Sequence, residues 1–302
     1  MILCVAVSAT LPFWASRYWS LLFLMFFLYL ALAQAWNLLG GYSGLVSLGQ
    51  QSFIGLGGYT VAVLSVYYGV PIWFCLPIAG VVAGMFGLVI SGPLFRMRGE
   101  YFAVASWIVS ESLSILFSNW AYVGYGSGMF IKPAYSLSLT QMYYAGLCVA
   151  VAAVITVCGV LTSKTGLGLM AACDNETAAG IAGVDVTRCR LYSFLVSALL
   201  TGVAAGLLYS YQVFIQPYKA FGIEWTVRIV FIVVIGGIGS IEGPIIGAAI
   251  LVCLQQYFSD YPSAGLLLMG LTAMLCMLLA PRGIAGLIRE KTGLELFPIR
   301  YG

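Results

Sequence analysis

Two stretches of the 302-residue chain carry residue types that could do covalent chemistry. Gly41-Tyr42-Ser43-Gly44 has the spacing that presents a nucleophilic serine inside a membrane. Such a serine needs a base to take its proton, and the chain contains no histidine. The nucleophile reading therefore falls. Gly159 to Thr165, GVLTSKT, has the flavour of a phosphate-binding loop, but it lacks the second glycine, is one residue short and follows an apolar run instead of a strand. ATP binding by this chain is not expected. The eight cysteines include no Cys-x-x-Cys pair, so neither zinc nor dithiol chemistry is supported; they are expected to be free, small apolar fillers. Neither a metal nor a cofactor is expected, and the chain is not expected to be an enzyme.

The remaining chemistry is hydrogen bonding and charge at membrane depth. Asn37, Ser47, Gln50 and Gln51 fall within or beside apolar runs, and Glu111 sits mid-run in SWIVSESLSILF. A carboxylate at the bilayer centre costs ~2.5–3.5 kcal/mol on insertion scales and should face the protein interior or a cavity. Asn37, Ser47, Gln50 and Glu111 are thus candidates for lining a translocation path. Structural hydrogen bonds to neighbouring helices are the competing reading.

The elements that must hold these groups follow from composition. Hydrophobic residues make up 62% of the chain and charged residues 8%, with a mean hydropathy of +1.03. Soluble domains carry about 25% charged residues, so a polytopic membrane protein is indicated. The net charge of +3 is scattered and gives no reason to expect nucleic acid. Apolar runs fall near residues 2–16, 19–39, 44–66, 72–95, 101–118, 141–162, 191–215, 226–239, 244–258 and 263–281. Backbone amides in a bilayer must be paired internally, and the dyad alternation of a membrane barrel is absent. The expected fold is all-α: a single transmembrane domain over 1–302 with about ten spans and no cleaved signal peptide.

Orientation follows from the bias of Lys and Arg toward cytoplasmic loops. With the polar loop 163–190 in the cytoplasm, and a turn at residues 236–244, both termini are cytoplasmic. Nine of the thirteen basic residues then face inward, and Arg17, Lys132, Lys219 and Arg228 face out. The two short runs around that turn could instead form a re-entrant pair.

Glycine clusters in two places, LLGGYSGLVSLGQQSFIGLGGYT at 38–60 and VIGGIGSIEGPIIGAAI at 234–250. Such clusters let helices approach closely, with Gly40, Gly44, Gly55 and Gly58 as candidates, and interrupted segments in corresponding halves can also mark a transport path. The loop 163–190 is the one sizeable polar stretch. Its middle, Leu167 to Ala182, is expected to form one short helix. Leu167, Met170 and Ile181 would make its apolar contacts, Asp174 and Glu176 its water-facing side, and Gly183 its end. Docking of a cytoplasmic partner and an ordinary membrane-surface connector both fit it.

Within that loop, NETAAGIAGVD resembles the EAA loop of bacterial ABC importer permeases, with Ala178, Ala179 and Gly183 at the A-A-x-x-x-G positions and Glu176 one residue before the usual acid. Three further stretches, NLLGGYSGLVSLGQQSFIGLGGYT, RMRGEYFAVAS and GGIGSIEGPIIGA followed by PRGIAGLI, are similar to those of the branched-chain amino-acid permeases of LivM type. The resemblance covers nearly the whole chain. It implies a multi-pass subunit of the bacterial inner membrane, paired with a second, homologous permease subunit. It further implies two cytoplasmic ATP-binding subunits that dock on Glu176, Ala178, Ala179 and Gly183, and a periplasmic amino-acid-binding protein. Urea and short-chain amide permeases share the scaffold, and a stand-alone secondary transporter is the alternative from another class. Two departures stand out: Gln50 occupies a position that is often histidine, and GYGSGM at 124–129 lacks the family's usual threonine.

Overall fold

The computed structural model describes residues 8, 10–12, 16–97, 99–258, 268, 270–272, 274 and 283–292. The chain is built of helices: α1 Arg17–Gly40, α2 Gln50–Tyr67, α3 Ile72–Leu94, α4 Glu100–Ser118, α5 Leu139–Thr162, α6 Lys164–Asp174, α7 Glu176–Ile181, α8 Val186–Gln212, α9 Pro217–Ala220, α10 Glu224–Gly236, α11 Gly243–Tyr257 and α12 Gly283–Thr292. A two-residue antiparallel pair, Met129–Phe130 with Phe214–Ile215, ties the loop after α4 to the end of α8. Five helices among the described residues (α1, α3, α4, α5 and α8) are long and apolar enough to cross a bilayer. The expected runs at 2–16 and 263–281 lie largely outside the described residues.

Side-chain caps fix several boundaries. Ser138 accepts from the Gln141 amide while the Gln141 side chain reaches back to Ser138, a reciprocal box that starts α5. Ser163, Asn175 and Asp185 cap α6, α7 and α8 in turn. The core forms where α8 packs against α1, α2 and α3. Small residues make this possible. A Cβ on Gly202 would stand 2.6 Å from the Ala79 carbonyl oxygen, and one on Gly57 would strike the Gly202 carbonyl. Backbone meets backbone along this seam. Gly55 and Gly58 also serve close packing, against Phe221 and Tyr209. Gly40 faces its own Trp36, and Gly44 turns the chain at φ +68.

The run expected at 44–66 is helical only from Gln50. Residues 41–49 form a folded-in loop instead, held by the Trp36 indole donating to the Ser47 carbonyl at 2.8 Å and by the Leu45 amide bonding Leu39. Non-helical backbone is tolerated at such depth when protein covers it, and Tyr42, Ser43 and Ser47 are buried.

Candidate functional site

The first turn of α2 is the hub of a buried polar layer. Gln50 donates from Nε2 to Ser197 Oγ at 3.2 Å and to Thr201 Oγ1, both on α8. Thr226 of α10 donates to Gln51 Oε1. Ser52 Oγ meets Ser110 Oγ of α4 at 2.5 Å. Ser110 also donates to the Gly49 carbonyl, and the Leu48 amide donates to Ser106. Three consecutive side chains thus tie α2 to three different helices at one level. Gln50 Oε1, Gln51 Nε2 and the hydroxyls of Tyr42, Tyr59 and Tyr209 remain buried without hydrogen-bond partners.

A second constellation joins the two glycine-rich segments. Asn37 donates from Nδ2 to the Ser240 carbonyl at 2.8 Å and accepts from the Gly239 amide at 3.0 Å. Gln34 donates to the Ile241 carbonyl at 2.7 Å. A Cβ on Gly41 would stand 2.7 Å from the Gly239 nitrogen. Helices α10 and α11 meet just as tightly: Gly236 abuts the Gly243 carbonyl, and Gly247 the Ile232 carbonyl. The tip between them, 237–242, is clasped by the end of α1.

The polar loop 163–190 contains two helices, α6 and α7, where one was expected. Asn175 breaks the run because its side chain accepts from the Ala178 amide and begins a new helix. The contacts differ as well. Leu167 is 64% exposed and Ile181 85%, whereas Leu169 is fully buried. Met170 packs against the core as expected. Gly183 ends α7 with φ +85 and open space around it, as its lack of a Cβ suggested. Ala179 faces the chain interior while Ala178 is exposed, and the Glu176 carboxylate pairs with Arg190 at 3.2 Å. A cavity of about 720 Å³ opens between α6 and α8, lined by Lys164, Thr165, Leu167, Ala171, Arg188 and Tyr192 among others. The far end of α6 reaches the folded-in loop, where a Cβ on Gly44 would lie 3.0 Å from Cys173 Sγ.

Residues 18–279 match the family model for the branched-chain amino acid transport system / permease component. The chain belongs to that family. Two relatives bear the same name, high-affinity branched-chain amino acid transport system permease protein LivM. The Salmonella typhimurium protein is 28% identical, with 96% of this chain and 75% of the relative covered. The Escherichia coli protein is 27% identical over 98% and 76%. The probable branched-chain amino acid transport permease protein LivH of Methanocaldococcus jannaschii is 25% identical over 80% and 83%. No solved structure matches. With its several apolar helices, the permease is a multi-pass membrane protein.

In this permease the candidate path residues fall into two groups. Asn37, Ser47 and Gln50 are buried and bonded: Asn37 to the hairpin tip, Ser47 to the Gly49 amide and Gln50 to α8. Glu111 is not with them. It was expected to face the interior or a cavity, yet it lies on the exposed face of α4. The inner face of that helix is taken by Ser106, Ser110 and Ser114. Their i, i+4, i+8 spacing is a sequence signal for a tightly seated helix face, and it marks three residues that the candidate set omitted. Gln34, Gln51, Ser52, Ser197, Thr201 and Thr226 are further omissions. Among the described residues the cysteines Cys75, Cys148, Cys158, Cys173, Cys189 and Cys253 are free.

Proposed function

We propose that this chain is a membrane subunit of an ATP-driven importer of branched-chain amino acids in the bacterial inner membrane. The near-full-length match to the branched-chain permease family carries the reading, and its relatives, named as branched-chain amino acid permeases, favour this substrate over urea or short amides. ATP hydrolysis is assigned to two separate cytoplasmic subunits. A second, homologous permease subunit and a periplasmic binding protein complete the assembly.

Loop 163–190 is the coupling element in this reading. It offers exposed Leu167 and Ile181 beside a cavity. Glu176, Ala178 and Gly183 are on its exposed side, and Ala179 anchors α7 to the chain. Motion imposed on α6 passes through Cys173 to Gly44, and from that loop to the clasp at Asn37 and the layer at Gln50. Both termini are cytoplasmic. Helices α10 and α11 are ~20 and ~23 Å long at 1.5 Å per residue, short of a ~30 Å hydrocarbon core. The ten apolar runs then comprise eight crossings and one re-entrant hairpin, and the parity of the termini is unchanged.

Proteoliposomes holding the full complex test this. ATP-dependent leucine uptake is expected, and Gly183→Pro or Ala179→Asp should abolish it while the subunit still inserts. Wild-type uptake in both variants would overturn the coupling role. Uptake by the isolated chain under an ion gradient would overturn the importer reading in favour of a secondary transporter.

A further inference from the structure

The cavity between α6 and α8 carries two cations that no part of the permease described so far uses. Helix α5 ends at Thr162 and α8 begins at Val186, and both are long and apolar enough to cross a bilayer. The loop between them therefore leaves and re-enters the membrane at one surface. Lys164 lies two residues beyond the end of α5, and Arg188 is the third residue of α8. Cations from the two ends of the loop thus stand at the same bilayer boundary, and both line the same cavity of about 720 Å³. That volume falls within the ~300–1,000 Å³ of ligand clefts.

Close packing fixes the walls. A Cβ on Gly168 would stand 2.9 Å from Cys189 Sγ and 3.1 Å from Val184 Cγ1, so α6 rests directly on the start of α8. Residues three or four apart share a helix face, and Lys164, Leu167 and Ala171 of α6 share the cavity with Asp185, Arg188 and Tyr192 of α8. Lys164 has no ion pair among the described residues. Asp185 holds Arg188 in place: its carboxylate accepts from Nε at 2.8 Å and from the Arg188 amide at 3.0 Å. Both side chains of that pair are exposed, so it is worth little in itself, and it leaves the two terminal guanidinium nitrogens for a ligand. The amides of Lys164 and Thr165, in the first turn of α6, have no carbonyl to meet within the helix and favour an anion. The rest of the wall is apolar. Leu167 is 64% exposed, and Tyr192, 46% exposed, lies one turn deeper along α8 than Arg188, the level at which tyrosine marks a membrane–water interface. Open apolar surface beside two cations at a bilayer boundary suits an anionic head with a hydrocarbon tail better than a soluble anion.

We propose that this cavity binds one anionic phospholipid of the cytoplasmic leaflet, its headgroup phosphate between Lys164 and Arg188 and its acyl chains along Leu167, Ala171 and Tyr192. That leaflet carries a negative surface potential, and basic pockets between membrane helices on the cytoplasmic side suit such headgroups. Neither Glu176, Ala178, Ala179 nor Gly183 lines the cavity, so a lipid seated here braces α6 at the bilayer surface and leaves the coupling residues open. The site rests on the cytoplasmic placement of loop 163–190 and not on what the permease imports.

Lipid titration of the purified full-length permease tests this, with bound phosphatidylglycerol and, separately, phosphatidylcholine counted by native mass spectrometry. One phosphatidylglycerol should bind at least about tenfold more tightly than phosphatidylcholine. Lys164→Gln and Arg188→Gln should each weaken it about fivefold, and the two together at least about tenfold, with phosphatidylcholine unaffected. Exchanging the cations, Lys164→Arg with Arg188→Lys, should keep phosphatidylglycerol binding within about threefold of wild type. Arg96→Gln, a cation outside the cavity, should keep it within about twofold. Unchanged phosphatidylglycerol binding in either neutral variant overturns the proposal, as does equal binding of the two lipids by wild type. An equal loss in Arg96→Gln would reduce the effect to diffuse surface charge and overturn the site. Displacement of the lipid by millimolar inorganic phosphate would make this a soluble-anion site, and displacement by added ATP-binding subunits would give the cavity to them; either result overturns the lipid. Failure of the importer reading leaves all of these outcomes as they are.

Discussion

Replacing Asn37 by alanine should loosen the clasp between the two glycine-rich segments. The side chain is fully buried and makes two hydrogen bonds, to the Ser240 carbonyl at 2.8 Å and from the Gly239 amide at 3.0 Å. The truncation removes both and strands two backbone groups. A buried group left unpaired costs ~1–3 kcal/mol, while side-chain hydrogen bonds in membrane proteins average ~0.6 kcal/mol with a maximum near 1.7. The two bonds together therefore set an expected loss of about 2 kcal/mol, within roughly 1–4. Gln34→Met is the internal control. It removes one bond to the Ile241 carbonyl but also an acceptor, Oε1, that has no partner, so its net cost should stay below about 1 kcal/mol. Reversible unfolding of the purified permease in mixed micelles measures both, and limited proteolysis at 237–242 reports locally on the tip. If Asn37→Ala unfolds like wild type and its tip is no more readily cut, the clasp contributes nothing and the argument fails. A larger loss from Gln34→Met than from Asn37→Ala would refute the accounting of unpaired groups.

Gly202→Leu should destabilise the permease by at least ~1–3 kcal/mol through overpacking, because even its Cβ would stand 2.6 Å from the Ala79 carbonyl. Gly159→Leu, where nothing lies within 4 Å of an added Cβ, should leave the unfolding midpoint unchanged. Gly44→Cys should cross-link to Cys173 under mild oxidation, since the Cβ atoms would be 3.9 Å apart, inside the ~3.5–4.5 Å range of disulfides. The bond should stop ATP-driven uptake until reductant is added, and Cys173→Ser in the same background should remove the effect. Undiminished uptake by a fully cross-linked sample would show that α6 and the 41–49 loop need not move apart.

Hydropathy located four long helices to within about two residues because polar or turn-forming residues punctuate their ends: α1, α3, α4 and α5 follow the runs at 19–39, 72–95, 101–118 and 141–162. It failed at 44–49, where an apolar stretch is a loop whose Ser47 and Gly49 are buried against protein. Asn175 was legible as a cap, and passing over it merged α6 and α7. Leu167 and Ile181 were misjudged for a related reason: an apolar residue on a short helix was assumed to turn inward, and Leu169 and Ala172 do so instead. Glu111 was expected to face the interior or a cavity on grounds of solvation cost alone, and it lies on the exposed face of α4. The side that a helix turns inward depends on which residues seat best, and Ser106 and Ser110 bond the backbone at Leu48 and Gly49, so close that a Cβ added to Gly49 would strike the Ser106 carbonyl. The partners of Asn37 and Gln34 lie some two hundred residues away in sequence and carry their signal in backbone carbonyls, which no residue type betrays.

The glycine-rich segments join two readings that the sequence had kept apart, close packing and a path. Each glycine at 236, 243 and 247 brings backbone against backbone, so the α10–α11 hairpin moves as one body. Its tip is gripped by α1, its first turn by Gln51, and the loop between α1 and α2 touches α6 at Gly44. A displacement of α6 then has few places to go. Side chains across these contacts are too closely packed to yield gradually, and packed interfaces of this kind switch between arrangements rather than deform. The buried groups left without partners, Gln50 Oε1 and Gln51 Nε2 at the α2 hub and Gln34 Oε1 at the clasp, are where a second arrangement has hydrogen bonds to gain. Packing is thus how a path would be opened: the same absent Cβ atoms that seat the hairpin let the coupling loop reach it.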